Sequence, residues 1–320
     1  MAVIKTSLVA GGAGFIGSNL CEYLIKKGRN VICVDNLFTG NRENIRNLLV
    51  KDNFLFINHD VVNPLFLDEM LIDEVYNLTC SGAAVHFQYN AIRTLKINTI
   101  GTMNLLGLAK KHKAKFLQVS SAGVYGDPLE NPQPETYNGN VNPIGPRACY
   151  TEGKRVAETF CYEYNQKYGI DTKIVRLFDT YGPGLNINDG RVIPTFIVQA
   201  LTGMDITIQG DGKQTRSYSY VTDIVEALYK LMERSGVNVP INVGGETEIE
   251  ILELAKLIKK LTKSKSKITY EPVFSQDSYR RNPDITRARE ILKWKPTTSL
   301  EAGLKHTIAD LKKELSNNLI

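Results

Sequence analysis

Tyr150 and Lys154 stand four residues apart within a stretch whose spacing predicts one long helix over 148–168. That interval puts both side chains on one helix face. Ser120 and Ser121 close the strand-like run Phe116–Val119. The end of such a strand lies at the carboxyl edge of a parallel sheet, where doubly wound folds bind ligands. A phenol with an ordinary pKa of about 10 is a poor base at neutral pH, but neighbouring positive charge stabilises its phenolate. Lowering it by about three units requires roughly 4 kcal/mol of differential stabilisation. Tyr150 is then expected to take a proton from a substrate hydroxyl, with Lys154 supplying charge and Ser121 holding the oxygen as it becomes a carbonyl.

A hydride must leave the same carbon, and the start of the chain offers a place for its acceptor. Gly11-Gly-Ala-Gly14-Phe15-Ile16-Gly17 lies between a strand over Thr6–Ala10 and a helix over Gly17–Lys27. The first glycine allows a tight turn, the second lets backbone N–H groups approach a pyrophosphate, and the third lets helix and strand pack closely. The helix N-terminus adds partial positive charge. Asp35, followed by Asn36, ends the next strand, Asn30–Val34. An acid there accepts both hydroxyls of an adenosine ribose and repels a 2′-phosphate, which favours NAD, while Arg42 leaves NADP open. Asp60 and Val61 follow a third strand-like run and are expected to meet the adenine, unless Asp60 simply ends a strand.

These groups need a scaffold. Further short apolar runs at Glu74–Leu78, Lys115–Val119 and Lys173–Phe178 alternate with helical stretches at Leu95–Lys111 and Ala148–Tyr168. The pattern predicts an α/β chain with a Rossmann-type, doubly wound parallel sheet. Gly169 is the expected C-cap of the long helix. After Tyr181-Gly-Pro-Gly the texture changes, with a short strand at Asp205–Gln209 and a helix at Val221–Glu233. Thr247-x-x-Glu250 reads as a capping box before the apolar stripe Ile251, Leu254, Ala255, Ile258 and Leu261. The expected division is an NAD-binding domain at 1–180 plus about 216–240, and a smaller C-terminal substrate-binding domain at about 181–215 and 241–320.

Composition excludes several classes. The 320 residues carry 39 basic and 34 acidic side chains, a balance of +5 with no long basic tract, so nucleic-acid binding is not expected. No apolar stretch approaches the roughly 18–20 residues of a membrane span. The opening Met1-Ala-Val-Ile-Lys-Thr lacks a basic region and a cleavage site, so a cytoplasmic protein is expected. Five scattered cysteines without a Cys-x-x-Cys pair argue against zinc or a disulfide framework. Four histidines leave little for a metal site or a Ser-His-Asp hydrolase.

Taken in order, these residues resemble the extended short-chain dehydrogenase/reductase family of nucleotide-sugar enzymes, and the similarity covers essentially the whole chain. Asp35-Asn-Leu-Phe-Thr-Gly40, Asn58-His-Asp-Val, Leu95-Lys-Ile-Asn-Thr-Ile-Gly-Thr, Val124-Tyr-Gly-Asp-Pro, Asn142-Pro-Ile-Gly-Pro-Arg-Ala-Cys-Tyr150 and Asn188-Asp-Gly-Arg-Val are similar to its UDP-glucuronate decarboxylase branch. The resemblance implies bound NAD that oxidises a UDP-sugar at C4. It also implies a UDP site in the smaller domain, with Arg191 and Arg216 on the nucleotide and its phosphates. Tyr220 and Arg281-Asn-Pro-Asp284 would close that site. A homodimer is implied through the helices near 95–111 and 150–168, where Leu105, Leu108, Val156 and Phe160 fit either an interface or the core.

The departures fall where the sugar should sit. The decarboxylases and related dehydratases carry an acid two residues after the catalytic Ser or Thr, where this chain has Gly123. Thr79-Cys-Ser-Gly-Ala-Ala-Val-His86 replaces a Ser-Pro-rich loop, and Asp179 stands where asparagine is usual. The expected activity is therefore a UDP-sugar epimerase or dehydratase working through transient C4 oxidation. Decarboxylation of UDP-glucuronate, a UDP-N-acetylhexosamine dehydratase or isomerising reaction, and a regulatory dinucleotide-binding protein are the alternatives. Cys80, His86 and Asp179 are candidate substrate contacts and second proton donors. Cys80 also fits a buried small hydrophobe, and His86 an ordinary helix-face residue.

Overall fold

The computed structural model describes residues 4–80, 82–273 and 278–317. Ser81, in the loop singled out above, and Met1–Val3 lie outside the described residues. Short apolar runs form β1 (Thr6–Ala10), β2 (Asn30–Asp35), β3 (Phe54–Asn58), β4 (Glu74–Asn77), β5 (Lys115–Ser121) and β6 (Thr172–Leu177). The helices among them are α1 (Phe15–Lys26), α2 (Ala84–Tyr89), α3 (Ala91–Lys96), α4 (Thr102–His112) and α5 (Ala148–Tyr168). Next come β7 (Thr180–Tyr181), α6 (Val192–Thr202), β8 (Ile206–Gln209), β9 (Thr215–Ser217) and β10 (Ser219–Tyr220). The chain then runs through α7 (Val221–Glu233), β11 (Pro240–Val243), β12 (Glu248–Glu250), α8 (Ile251–Thr262) and β13 (Ile268–Glu271). It ends with β14 (Arg280–Arg281), α9 (Thr286–Leu292) and α10 (Leu300–Asn317).

Seven strands form one parallel sheet in the order β11-β6-β5-β4-β1-β2-β3. Neighbours of β1 lie on opposite sides, β2 following it in one direction and β4 starting the other. That reversal opens a crevice at the carboxyl ends of the strands, the ligand position of such sheets. Successive side chains alternate faces. Val9, Val31, Leu117 and Val175 therefore meet α1 and α7 in one core, while Leu8, Ile32, Phe116 and Ile174 meet α4 and α5 in the other. A third core joins α6, α8 and α10 through Ile193, Phe196, Leu254, Ile258, Leu304 and Leu311.

The chain crosses the division expected near residue 240. β11 pairs with β6, and Ile285, Ala288, Leu292 and Trp294 are buried in the α1–α7 core. We infer a two-part organisation in which 240–243 and 285–294 go with the sheet.

Two local expectations are corrected. The helix expected over Leu95–Lys111 is interrupted by a π turn at Ile97–Gly101. There Asn98 Nδ2 donates to Thr94 O at 2.9 Å and to Cys80 Sγ at 3.2 Å, the kind of wider turn that aims a side chain inward. The capping box at Thr247–Glu250 does not form. Residues 248–250 instead pair antiparallel with β9, so Glu250 becomes the N-cap of α8 with extended backbone and no side-chain cap. Gly169 does cap α5, at φ +65°.

One buried residue links the segment before α5 to β11 and to the segment before α9. Gln133, with no exposed surface, donates its N–H to Asn282 O and accepts from Asn282 N on Oε1, both at 2.8 Å. Its carbonyl accepts from Asp284 N and from Asn242 Nδ2, each at 2.9 Å. Gln133→Ala strands the Asn282 N–H, so urea unfolding should show a loss of about 1–3 kcal/mol.

Candidate active site

A cleft of about 910 Å³ runs across the carboxyl ends of β1, β2, β4, β5 and β6. One end is built by the glycine turn. A Cβ on Gly17 would lie 2.1 Å from Gly11 O, so the start of α1 rests on the turn with no room for a side chain. Gly11 adopts φ +80°, which favours glycine. Gly14, Phe15, Ile16 and Gly17 all line the cleft. Buried Asp35 ends β2, accepting from Leu37 N at 2.8 Å and from Ala13 N at 3.0 Å. Burial pushes its carboxyl pKa up, and these N–H bonds draw it back.

Asn36, Asp60 and Val61 also line this end. Asp60 lies two residues beyond the end of β3, and its Oδ2 meets Arg93 Nη2 at 2.6 Å. Arg42 lies against the Phe56 ring, 5.7 Å from its centroid, and is absent from the wall, where Arg46 stands instead.

Farther along, α5 delivers Tyr150 and Lys154 and β5 delivers Ser121. Lys154 is buried, and its Nζ donates to Val119 O at 3.0 Å and Thr79 O at 3.2 Å. Burial pulls this ammonium below the usual lysine range. Tyr150 stacks on Phe87 with ring centroids 4.9 Å apart. The chain's own groups do not lower its phenol. Burial is the largest influence and pushes it up to about 12, while hydrogen bonding with Ser121 and the charges of Arg147 and Arg281 pull down. Ser121 Oγ accepts from Gly123 N at 3.0 Å, which leaves its hydroxyl proton to donate elsewhere.

Gly123 sits directly under this pair. A Cβ there would lie 3.3 Å from Tyr150 Cε1 and 3.4 Å from Ser121 Oγ, so the position faces the reacting groups and holds no side chain. Cys80, His86, Asp179, Arg191 and Arg281 line the same end of the cleft. Cys80 adopts φ +82° and accepts from Asn98, and burial pushes its thiol up. Arg191 forms a two-pronged ion pair with Asp189 and lies 5.7 Å from the Phe15 ring centroid. Asp179 faces Arg281.

Two expected contacts are not on the wall. Arg216 is buried behind it, with Nε 3.9 Å from Asp179 and Nη1 donating to Thr215 O and Tyr279 O. Tyr220 packs against Tyr181 and His306 in the α6–α8–α10 core. Arg147 and Asp189 line the cleft and were missed. Arg147 lies three residues before Tyr150, a helical interval that could have found it. Asp189 sits inside the quoted Asn188-Asp-Gly-Arg191 run. Among the described residues, no cluster of three or more His, Cys, Asp or Glu could hold a metal ion, and no helix is long and apolar enough to cross a membrane.

Fold and site together define a Rossmann-type dinucleotide fold with a Ser–Tyr–Lys cluster at the sheet's carboxyl edge. Residues 8–307 match the family described as GDP-mannose 4,6 dehydratase. A relative named UDP-glucuronic acid decarboxylase 1, from Arabidopsis thaliana, is 46% identical over 97% of this chain and 70% of its own. The UDP-glucose 4-epimerase of Thermotoga maritima, solved with UDP-glucose, superposes with TM-score 0.87 at 32% identity, covering 97% of this chain and 99% of that one. A Bacillus cereus UDP-glucuronic acid 4-epimerase, solved with UDP-glucuronic acid and NAD, gives TM-score 0.87 at 28% identity with the same coverage. The chain belongs to the GDP-mannose 4,6 dehydratase family, the extended short-chain dehydrogenase/reductase enzymes that include NAD-dependent nucleotide-sugar epimerases, dehydratases and decarboxylases.

Without ligands the Tyr150 phenol should remain protonated well past the ordinary tyrosine range. An alkaline ultraviolet titration of wild type minus Tyr150→Phe should show no phenolate band at about pH 10.5, where an exposed tyrosine is mostly ionised, and should develop one only near pH 12.

Proposed function

We propose that this enzyme binds NAD and a UDP-sugar and interconverts C4 epimers through a transient 4-ketosugar. The observation that carries this reading is the placement of Gly123: the reacting pair Tyr150 and Ser121 is complete, and the adjoining position supplies no acid or base. Epimerisation needs oxygen at C4 deprotonated and reprotonated and the ketosugar free to turn over. Dehydration additionally needs a base at C5 and an acid for the leaving oxygen.

The cleft fits the cofactor. The crowded Gly17–Gly11 contact seats the start of α1 on the glycine turn at the cleft wall, and Asp35 presents a carboxylate where an adenosine ribose would lie. Gly11, Gly14, Phe15, Ile16 and Gly17 would hold the pyrophosphate end, and Asp35, Asn36, Asp60 and Val61 the adenosine. NAD bound there supplies a hydride acceptor and a positive ring. Tyr150 moves the C4 hydroxyl proton, and Ser121, oriented by the Gly123 N–H, donates to the same oxygen. Lys154 holds α5 against the ends of β4 and β5, so that Tyr150 faces Ser121. Arg191 is suited to an anionic pyrophosphate, since a guanidinium fork matches phosphate oxygens. Arg216 would act from behind the wall.

A decarboxylase reading draws on the names of the most similar relatives, and the products distinguish the two. A homodimer is also part of this proposal. Leu105 and Leu108 are buried in the core, whereas Ile100, Met103 and Val156 leave apolar surface exposed along the π turn, α4 and α5.

Tyr150→Phe removes the proton-transferring oxygen and should lower turnover of UDP-glucose to UDP-galactose by about 10²–10⁴-fold, leaving NAD affinity unchanged. Product chromatography and NAD titration check this. Retained turnover in the variant, or release of CO₂ from UDP-glucuronate by wild type with no epimer formed from either sugar, refutes the reading.

A further inference from the structure

Three successive residues at the end of β5 meet three successive turns of α5. Val119 O receives Lys154 Nζ, and Ser121 hydrogen-bonds with Tyr150. Between them, buried Ser120 donates its hydroxyl to Glu158 Oε1 at 2.5 Å. Tyr150, Lys154 and Glu158 are spaced four residues apart, so one face of the helix carries all three. The Glu158 carboxylate is itself held from β6. Arg176 donates Nε to Oε1 at 3.0 Å and Nη2 to Oε2 at 2.7 Å, and the arginine and glutamate side chains are only 13% and 12% exposed. Arg176 Nη1 donates to the Tyr125 hydroxyl at 3.0 Å, which donates to Asn242 Oδ1 on β11 at 2.7 Å. A charge-assisted fork of this kind fixes geometry as well as contributing energy. Ser120 borders the cleft, but its hydroxyl is turned to Glu158, and neither Glu158 nor Arg176 lines the wall.

We propose that Ser120 and Glu158 are positioning residues for the hydride step: their contact sets the tilt of α5 against the end of β5, and with it the approach of Tyr150 to Ser121 and to the sugar oxygen at C4. The inference rests on the C4-oxidation reading above and names the groups that hold its proton-transferring pair in register. Lys154 pins the helix at one level, and Glu158, one turn farther, supplies the second point that a tilt requires. Misplacing reacting atoms by about 1 Å costs on the order of 10²-fold in rate, so a small change of tilt is felt at Tyr150. Glu158→Ala would leave the largely buried Arg176 guanidinium without its carboxylate, and loss of the fold would then hide the effect. Ser120→Ala removes only the hydroxyl and keeps the ion pair. Ser7 provides a matched control: buried near the amino end of β1, at the opposite edge of the sheet, it donates to buried Glu74 Oε2 at 2.8 Å.

The test compares wild type, Ser120→Ala and Ser7→Ala, each loaded with NAD. Turnover of UDP-glucose and of UDP-glucuronate is followed as loss of the sugar with chromatography of the products, and each sugar is also used deuterated at C4. Ser120→Ala should lower kcat at least about tenfold while KM and the affinities for UDP and NAD stay within about threefold. Its C4 isotope effect on kcat should be at least as large as in wild type, because the hydride step is the one slowed. Ser7→Ala loses a like buried hydrogen bond and should keep kcat within about twofold. Wild-type kcat in Ser120→Ala overturns the inference. So does an equal loss in both variants, a loss confined to KM or UDP affinity, or a smaller isotope effect. Turnover of UDP-glucuronate alone, with release of CO₂, would refute the epimerase reading, and the same comparison on that sugar would still decide the roles of Ser120 and Glu158. Turnover of neither sugar by wild type overturns both.

Discussion

A buried ammonium sets the geometry on which the site depends. Lys154 carries its charge to the carboxyl edge of the sheet, where the carbonyls of Thr79 and Val119 receive it. One carbonyl follows β4 and the other lies within β5, so the contact fixes α5 against both strands at once. Tyr150 is one turn away on the same helix face and therefore stands over Ser121 and Gly123. Burial that pulls the lysine down also pushes the tyrosine up. The chain alone thus holds a protonated phenol, the form that can donate to a ketone oxygen. Reaching the phenolate at neutral pH from about 12 asks for roughly 7 kcal/mol from bound charge.

Much of this was legible in the amino-acid order because the signals were local. β1 and α5 begin and end at the expected residues, since alternation and a C-capping glycine are read over a few positions. The glycine turn, Asp35 and the Ser–Tyr–Lys set occupy one cleft for the same reason. Tertiary partners decided the rest. Thr247–Glu250 has the letters of a capping box, but β9 offers those residues a strand partner. Nothing local to Tyr220 shows that Tyr181 and His306 enclose it, and nothing near Arg216 shows that it lies behind Asp179. The phenol's upward shift follows from burial by Phe87 and its neighbours, which spacing does not reveal.

Two positions give this cleft a character different from the fold around it. Gly123 removes an acid from the face of Tyr150, and Asp179 adds one beside Arg281. The cofactor end, by contrast, is built from contacts too close to tolerate change, such as Gly17 against Gly11. A complete Ser–Tyr–Lys set beside a dinucleotide cleft, with no acid or base at position 123, is the physical content of the epimerase proposal.

That proposal turns on whether any carbon of the sugar exchanges its hydrogen with solvent. Turnover of UDP-glucose in deuterium oxide, followed by mass and proton spectra of the recovered sugars, addresses it directly. Hydride that leaves C4 and returns to C4 gives UDP-galactose with no deuterium on carbon. Deuterium at C5, in an epimer or in a dehydrated product, would mean that a second acid–base group works beside Tyr150, and would contradict the account.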